Sequence, residues 1–350
     1  MLPRVAIVYL SYNSKPYIDE VFSSIDRLNY PKEKLGVIVV DNDSPDGSAE
    51  VFREMEGITF FPSSENLGFA EGNNLGVNHA LLDGVEYVYL LNNDAMLHQD
   101  AIMEAVMLAE SDKQIGSVQS RMMLWKQQAI VNSTGGMVHF LGFGFVRDNG
   151  QPWSSIRVQD GEEIAYASGA AVLYRSTILK KVGLLDPFLF LYHEDLELGW
   201  RIRLAGFKNV LSTQSIAYHD YEFKRSIQKF YWMERNRILV HLSHLRWRTL
   251  FLLLPFMVAL ELGLLAFAVK GGWLKEKILV YVALLSPRTW MYVAKKRRAS
   301  RAIRSVSDRE IVRLFTGRIA HQETSTALVE KIGNPILAGV WWILKHLIRW

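Results

Sequence analysis

The chain has 350 residues, 49% of them hydrophobic and none Cys, with 40 Lys+Arg against 36 Asp+Glu and a formal net charge of +4. This composition excludes a disordered chain, and the lack of Cys excludes disulfides, thiolate metal sites and cysteine nucleophiles. The net charge hides a division: residues 1–220 carry 17 basic and 28 acidic side chains, residues 221–350 carry 23 and 8, so two regions are expected to face different surroundings.

The first 120 residues alternate strand-like and helix-like segments. Val5–Ser11 is an apolar, β-branched run suited to a buried strand, and Pro16–Leu28 has helical spacing with Val21, Phe22, Ile25 and Leu28 on one face. Strands are expected at Val37–Val40, Ile58–Phe61, Glu86–Leu91 and Ile115–Gln119, and helices at Ala49–Met55, Ala70–Leu82 and Gln99–Ala109. That order implies a mostly parallel sheet covered on both faces. Asn132–Gly161, rich in Gly and aromatics, has no helical period and reads as an irregular or hairpin insertion near a site. Ala165–Tyr174 reads as extended, Glu194–Leu204 as a helix stopped by Gly206, Val210–Tyr218 as strand and Ser226–Leu245 as a long helix. The first residues lack a small-residue cleavage site, so no signal peptide is expected there.

The remainder changes character. Thr249–Val269 has one charge, Glu261, and Ile278–Ala294 is apolar around Ser286-Pro287-Arg288. Lys295–Arg298 is a basic cluster, and Pro335–Trp350 places Trp341, Trp342 and Trp350 among Ile and Leu. Twenty-one residues suffice to cross a bilayer core of about 30 Å, whereas Pro255 and Glu261 weaken a simple span. A helical hairpin and in-plane helices are both open, with the basic residues toward the cytoplasmic face. The rival use of this apolar surface is a buried domain or a homodimer. Nucleic acid is not an expected partner, because the cluster is short and belongs to no recognisable nucleic-acid module.

Candidate site residues follow from the sheet. Ligands bind beyond the carboxyl ends of parallel strands, and four such ends are polar: Ser11-Tyr12-Asn13, Asp41-Asn42-Asp43, Glu65–Asn74 and Asn92-Asn93-Asp94. One such end is an ordinary turn or cap; four on one edge indicate a site. SYNSKPY after the first strand lacks the glycines of a dinucleotide fingerprint, which argues against an NAD dehydrogenase.

YLSYN, VVDNDSPDGS, ENLGFAEGNNLG, LLNNDA and YHEDLELGWR stand in an order and spacing that resemble the inverting family-2 glycosyltransferases, most like the rhamnosyltransferase-like branch. The resemblance spans roughly Val5 to Leu245. It implies a GT-A fold over residues 1–245 and transfer of a sugar from a nucleoside diphosphate to an acceptor hydroxyl with inversion, while the apolar runs and basic cluster make 246–350 the expected membrane-associating region. The donor would be dTDP-rhamnose or a UDP-sugar, and the acceptor a glycan or polyprenyl-linked glycan at the cytoplasmic membrane face. Asp41 would bind the base, with Tyr12 and Asn13 flanking it. The loop carrying Asn66, Gly68, Gly72 and Asn74 would offer free N–H groups of a helix start to phosphate. Asn92, Asn93 and Asp94 fall at the family's metal motif, with Asn92 in place of its first Asp. Asp94 and the later His219 would hold Mg²⁺ or Mn²⁺. Asp195 would be the general base, and Glu194 would contact the acceptor or orient the site. Of Arg235 and Arg237, about 200° apart on a helix, one would approach the diphosphate. A catalytically inactive nucleotide-sugar-binding scaffold at the membrane and a metal-dependent nucleotidyltransferase are the competing readings.

Overall fold

The computed structural model describes residues 2–221, 227–319 and 329–350. Its strands and helices are, in chain order, β1 (Val5–Ser11), α1 (Ile18–Asp26), β2 (Leu35–Asp41), α2 (Ser48–Glu54), β3 (Thr59–Pro62), α3 (Gly68–Leu82), β4 (Tyr87–Asn92), β5 (Ala95–Leu97), α4 (Ala101–Ser111), β6 (Ile115–Leu124), β7 (Gln127–Ser133), β8 (Gly136–His139), β9 (Gly144–Val146), β10 (Glu163–Ile164), β11 (Ala171–Arg175), α5 (Ser176–Val182), α6 (Glu194–Leu204) and β12 (Lys208–His219). There follow α7 (Ile227–His244), α8 (Trp247–Gly271), α9 (Leu274–Leu285), α10 (Pro287–Ile303), α11 (Asp308–Val312), β13 (Phe315–Thr316) and α12 (Asn334–Leu347). The expected start of the long helix at Ser226 lies outside the described residues.

The fold is α/β. The main sheet runs β10-β12-β6-β11-β4-β1-β2-β3, with β5 added on β12 and β7 on β6. β1 pairs parallel with β2 and β4, and β2 with β3. β11 is antiparallel between β4 and β6, and β6 pairs parallel with β12. All seven β1 residues are buried because helices cover both faces. One face packs Val21, Phe52, Ile102 and Val106 from α1, α2 and α4. The other packs Val77, Ile178, Leu198 and Ile202 from α3, α5 and α6.

The insertion is more ordered than its composition suggests. β8 and β9 form a hairpin, and β13, from the far end of the chain, adds a parallel strand to β8. Such a pairing has no local signature. A third core joins Phe140 and Trp200 to Val312, Phe315 and Trp341. The change in surface character near residue 245 is therefore not a gap in packing. The second apolar run is split at Ser286: α9 ends, and α10 begins with Pro287 at its first turn, where the missing N–H costs nothing. The Lys295–Arg298 cluster continues that helix.

Candidate active site

At the carboxyl edge of the sheet, Asp41 ends β2 and is 2% exposed. One carboxylate oxygen accepts from the Ser11 hydroxyl at 2.8 Å, the other from the Ser44 amide at 3.0 Å. Tyr12 is exposed and Asn13 takes a positive φ of 55°, so the chain turns sharply after β1. The Asn93 side chain donates to the Tyr12 carbonyl at 2.9 Å and to the Ser14 hydroxyl at 3.1 Å. The ends of β1, β2 and β4 are thus laced into one polar rim.

The loop before α3 differs from the phosphate cradle expected of it. The Leu67 and Gly68 amides donate to the Asn42 and Asn66 side chains at 2.8 and 2.9 Å, and the Phe69 amide donates to the Phe190 carbonyl at 3.0 Å. These donors are already engaged. Gly68 is needed for its φ of +76°, where a side chain is strained. Gly72 serves packing: a Cβ there would lie 2.6 Å from Leu10 Cδ1, so the glycine lets α3 press onto β1. The Asn74 side-chain amide donates to the Leu185 carbonyl at 2.8 Å. Of the four loop residues, Asn66 and Gly68 build the rim, whereas Gly72 and Asn74 hold the helix in place.

Asp94 and His219 meet although 125 positions separate them. β5 pairs with the end of β12, Ala95 opposite His219, and this register brings His219 Nε2 to 3.1 Å from Asp94 Oδ1. The other ring nitrogen, Nδ1, lies 3.0 Å from Asn132 Oδ1, which fixes the ring. Asn92 ends β4 and its amide donates to the Ala170 carbonyl at 3.0 Å. Among the described residues no third His, Asp or Glu joins the pair to complete a metal cluster. A carboxylate oxygen beside an oriented imidazole nitrogen is nonetheless a fitting partial set for Mg²⁺ or Mn²⁺, ions that normally share their shell with phosphate oxygens.

Glu194 and Asp195 open α6. Asp195 accepts from the Gly169 amide at 3.3 Å and, through its other oxygen, from the Leu196 amide at 2.7 Å. Burial pushes its pKa up to about 6, against these two hydrogen bonds. Glu194 is 6% exposed, its Oε2 has no hydrogen-bond partner, and burial followed by the Asp195 charge drives its pKa well above the carboxylate range. The pair thus divides into an ionised and a protonated carboxyl near neutral pH. The approach to α6 is strained: Phe190, Tyr192 and His193 all have φ between 61° and 70°. Asn236 holds this loop, its amide reaching the carbonyls of Leu189, Leu191 and Tyr192 at 2.8–3.0 Å. His193 Nε2 lies 3.2 Å from the Gly142 carbonyl, and burial lowers its pKa to about 4, so the ring is neutral and donates.

The two arginines of α7 diverge, as helical spacing requires. Arg235 bonds the Phe188 carbonyl and lies 4.5 Å over the Trp232 ring, bracing the same loop. Arg237 is 1% exposed and pairs with Glu234 at 3.0 Å and with Glu261.

Residues 3–238 match the family model described as glycosyltransferase like family 2. The chain belongs to glycosyltransferase family 2. It is 24% identical over 208 residues to a low-salt glycan biosynthesis hexosyltransferase of Haloferax volcanii, covering 58% of this chain and 62% of that protein. It is 29% identical over 200 residues to a galactofuranosyltransferase of Mycobacterium tuberculosis, covering 54% and 62%. The chain thus spans less than two thirds of the length of these relatives. Its fold is similar to a Pyrobaculum calidifontis mannosyltransferase in complex with GDP-Man and Mn²⁺, at TM-score 0.52 and 19% identity over 86% of this chain and 87% of that one. It is also similar to S. aureus TarS 1-349 in complex with UDP-GlcNAc, at TM-score 0.53 and 16% identity over 92% and 98%. The GT-A architecture expected from the motifs is the one observed.

Sequence reasoning assigned no role to several residues that hold these side chains in place. Asn236 lies between the two arginines that drew attention, and a polar residue at a buried helix position was the available signal. Ser11 and Asn42 were named among the polar strand ends without a role of their own, and Asn132 opens the insertion, where nothing in its spacing points to His219. Gly169 carries no charge, and its role at Asp195 depends on the fold.

Proposed function

We propose that this chain is an inverting glycosyltransferase that moves a sugar from a nucleoside-diphosphate donor to a hydroxyl of a glycan or polyprenyl-linked acceptor. The observation that carries the reading is Asp195: a carboxylate held by two backbone amides, with its pKa raised to about 6, at a helix start on the sheet edge. Its Oδ takes the proton of the acceptor hydroxyl while that oxygen bonds to the anomeric carbon. The bond from that carbon to the diphosphate oxygen breaks on the opposite side, which inverts the configuration. A base ionised at neutral pH yet raised above the ordinary range suits this transfer. Glu194, protonated beside it, donates to an acceptor oxygen.

Donor recognition falls to the polar rim of Tyr12, Asn13, Asp41, Asn66, Gly68, Asn92 and Asn93. Arg235 acts through the loop it braces. Asp94 and His219 would hold a divalent ion, Mg²⁺ or Mn²⁺, which when bound offsets charge on the departing diphosphate. The complexes of relatives with GDP-Man and with UDP-GlcNAc support a nucleotide-sugar donor; dTDP-rhamnose stays within the proposal on the strength of the motifs alone.

Residues 246–350 are read as the membrane-associating region. α8 is the described helix long and apolar enough to cross a bilayer. Phe251, Leu254, Val258 and Leu262 form an exposed stripe along it, while Glu261 turns inward to Arg237 and Lys277. A helix with one face in the protein and one apolar face outside suits an in-plane position better than a crossing. Exposed Arg288, Lys295, Arg298 and Arg301 of α10 would meet anionic headgroups on the cytoplasmic side. A homodimer formed by the same stripe is the outcome that vesicle binding would exclude.

Asp195→Asn tests the reading. Transfer from a panel of nucleotide sugars to a lipid extract should fall about 10²–10⁴-fold, the range of a lost general base, while calorimetric affinity for the nucleoside diphosphate is kept. Turnover near that of the wild type would refute the assignment.

A further inference from the structure

The insertion expected to lie near a site contributes to a hollow that the reaction above leaves unused. A cavity of about 280 Å³ is lined by Arg121 and Met123 of β6, Gln128 of β7, Trp153, and Ile216 and Tyr218 of β12. Small-molecule sites begin at about 300 Å³, so this one suits a single ring rather than a chain of sugars.

Arg121 is the unusual member. Its guanidinium carbon lies 4.0 Å over the Trp153 ring. Its Nε is buried without a hydrogen-bond partner. Among the described residues no carboxylate pairs with it, whereas the deeply buried Arg201, Arg203 and Arg237 each have one. Partial burial lowers the pKa of the half-buried Arg121, with Tyr218 acting the other way. Seated over the indole and without a carboxylate, the guanidinium keeps the forked donors that grip a carboxylate or phosphate through two oxygens.

The position of the hollow links it to catalysis. Tyr218 is the chain neighbour of His219, and β7, which contributes Gln128, also carries Asn132, the partner of His219. Arg121 shares a strand face with Gln119 two residues before it. Gln119 accepts from the Ser168 amide at 2.9 Å, and the next amide, that of Gly169, holds Asp195. The hollow and the base therefore lie toward one face of the sheet.

We propose that this hollow is an acceptor-side subsite for one sugar residue bearing an anionic group, phosphate or carboxylate. Arg121 binds the oxyanion, and Trp153 and Tyr218 supply apolar walls for the ring. The proposal rests on the glycosyl-transfer reading and deepens it.

Ligand-observed NMR on the full chain tests it, with glucose 1-phosphate, glucuronic acid, methyl glucoside and inorganic phosphate as probes in saturating UDP. At least one anionic sugar should bind ten-fold or more tightly than methyl glucoside. Binding by glucose 1-phosphate alone assigns a phosphate, and by glucuronic acid alone a carboxylate. Arg121→Met should weaken that binding at least ten-fold, and Arg121→Lys should restore part of it. UDP affinity of each variant serves as the control for folding. Equal binding of methyl glucoside, or no effect of Arg121→Met, would overturn the subsite. Inorganic phosphate binding as tightly as the sugar phosphate would also overturn it. UDP binding without anionic-sugar binding refutes the subsite alone; a wild-type chain that fails to bind nucleotide refutes the broader reading.

Discussion

The sheet region and the helices after residue 245 distribute charge in opposite ways. In the sheet region apolar strands are inside, and the polar strand ends form a rim where a ligand can reach them. In the helical region Lys277, fully buried, pairs with Glu234 at 2.5 Å and Glu261 at 2.7 Å, while Phe251, Leu262, Leu285 and Trp342 lie outside. Water favours the first arrangement and penalises the second. The contrast fits the membrane-associating reading of the helical region, and it shows that a buried ion cluster ties α9 to α7 and α8 beside the apolar core in which Val240 meets Leu250 and Leu253.

Breaking the cluster should give the largest effect on stability. Lys277→Met leaves buried Glu234 and half-buried Glu261 with Arg237 as their remaining cation, and should cost about 3–5 kcal/mol in thermal or denaturant unfolding. Lys126→Met is the matched change in the sheet region: its pair with Asp220, at 3.0 Å, is exposed at the lysine and should be worth about 0–1 kcal/mol. Equal losses would erase the contrast.

Gly72→Ala tests the packing role assigned to that glycine. The added Cβ, 2.6 Å from Leu10 Cδ1, should cost about 1–3 kcal/mol as overpacking. A loss of nucleotide affinity with unchanged stability would instead return Gly72 to the donor loop.

The apolar face should behave differently. Phe251→Ser with Leu262→Ser should change stability by only about 0.5 kcal/mol per site, yet weaken sedimentation with vesicles containing anionic lipid several-fold. Unchanged vesicle binding would break the membrane half of the comparison.

Glu194→Gln gives an effect that grows with pH, and one with a sign. The folded-state pKa of Glu194 lies above its unfolded value, so the folded chain retains a proton that the unfolded chain has lost. Stability is fully present below the unfolded pKa, about 4.3, and declines as pH rises toward the raised value. The Gln variant should remove that decline, so its gain in melting temperature is larger at pH 8 than at pH 5. A gain that does not depend on pH would contradict a protonated Glu194.

Much of this was readable from residue patterns. The alternation of buried strands and amphipathic helices placed the elements from β1 to α4 within a few residues, except the three-residue β5, because each of the others obeys a local period. The motif clusters named Asp41, Asp94 and Asp195, and the resemblance the later His219; the fold brings Asp41, Asp94 and His219 to strand ends and Asp195 to the start of α6. What escaped depends on long-range pairing or on the direction a side chain takes. β13 finds β8 across the chain, and the amides at the start of α3 are consumed by Asn42, Asn66 and the Phe190 carbonyl. Asn74 and Gly72 stand in the right motif but turn toward packing. The inward turn of Glu261 could not be inferred from a lone charge in an apolar run.

The central claim is that Asp195 is the base of the transfer, and the pH dependence of kcat/KM tests it most directly. The account predicts an acid limb with its midpoint at about 6, set by the buried Asp195 carboxyl. A limb near 4, where an ordinary carboxylate titrates, or activity that stays flat down to pH 5 would contradict it.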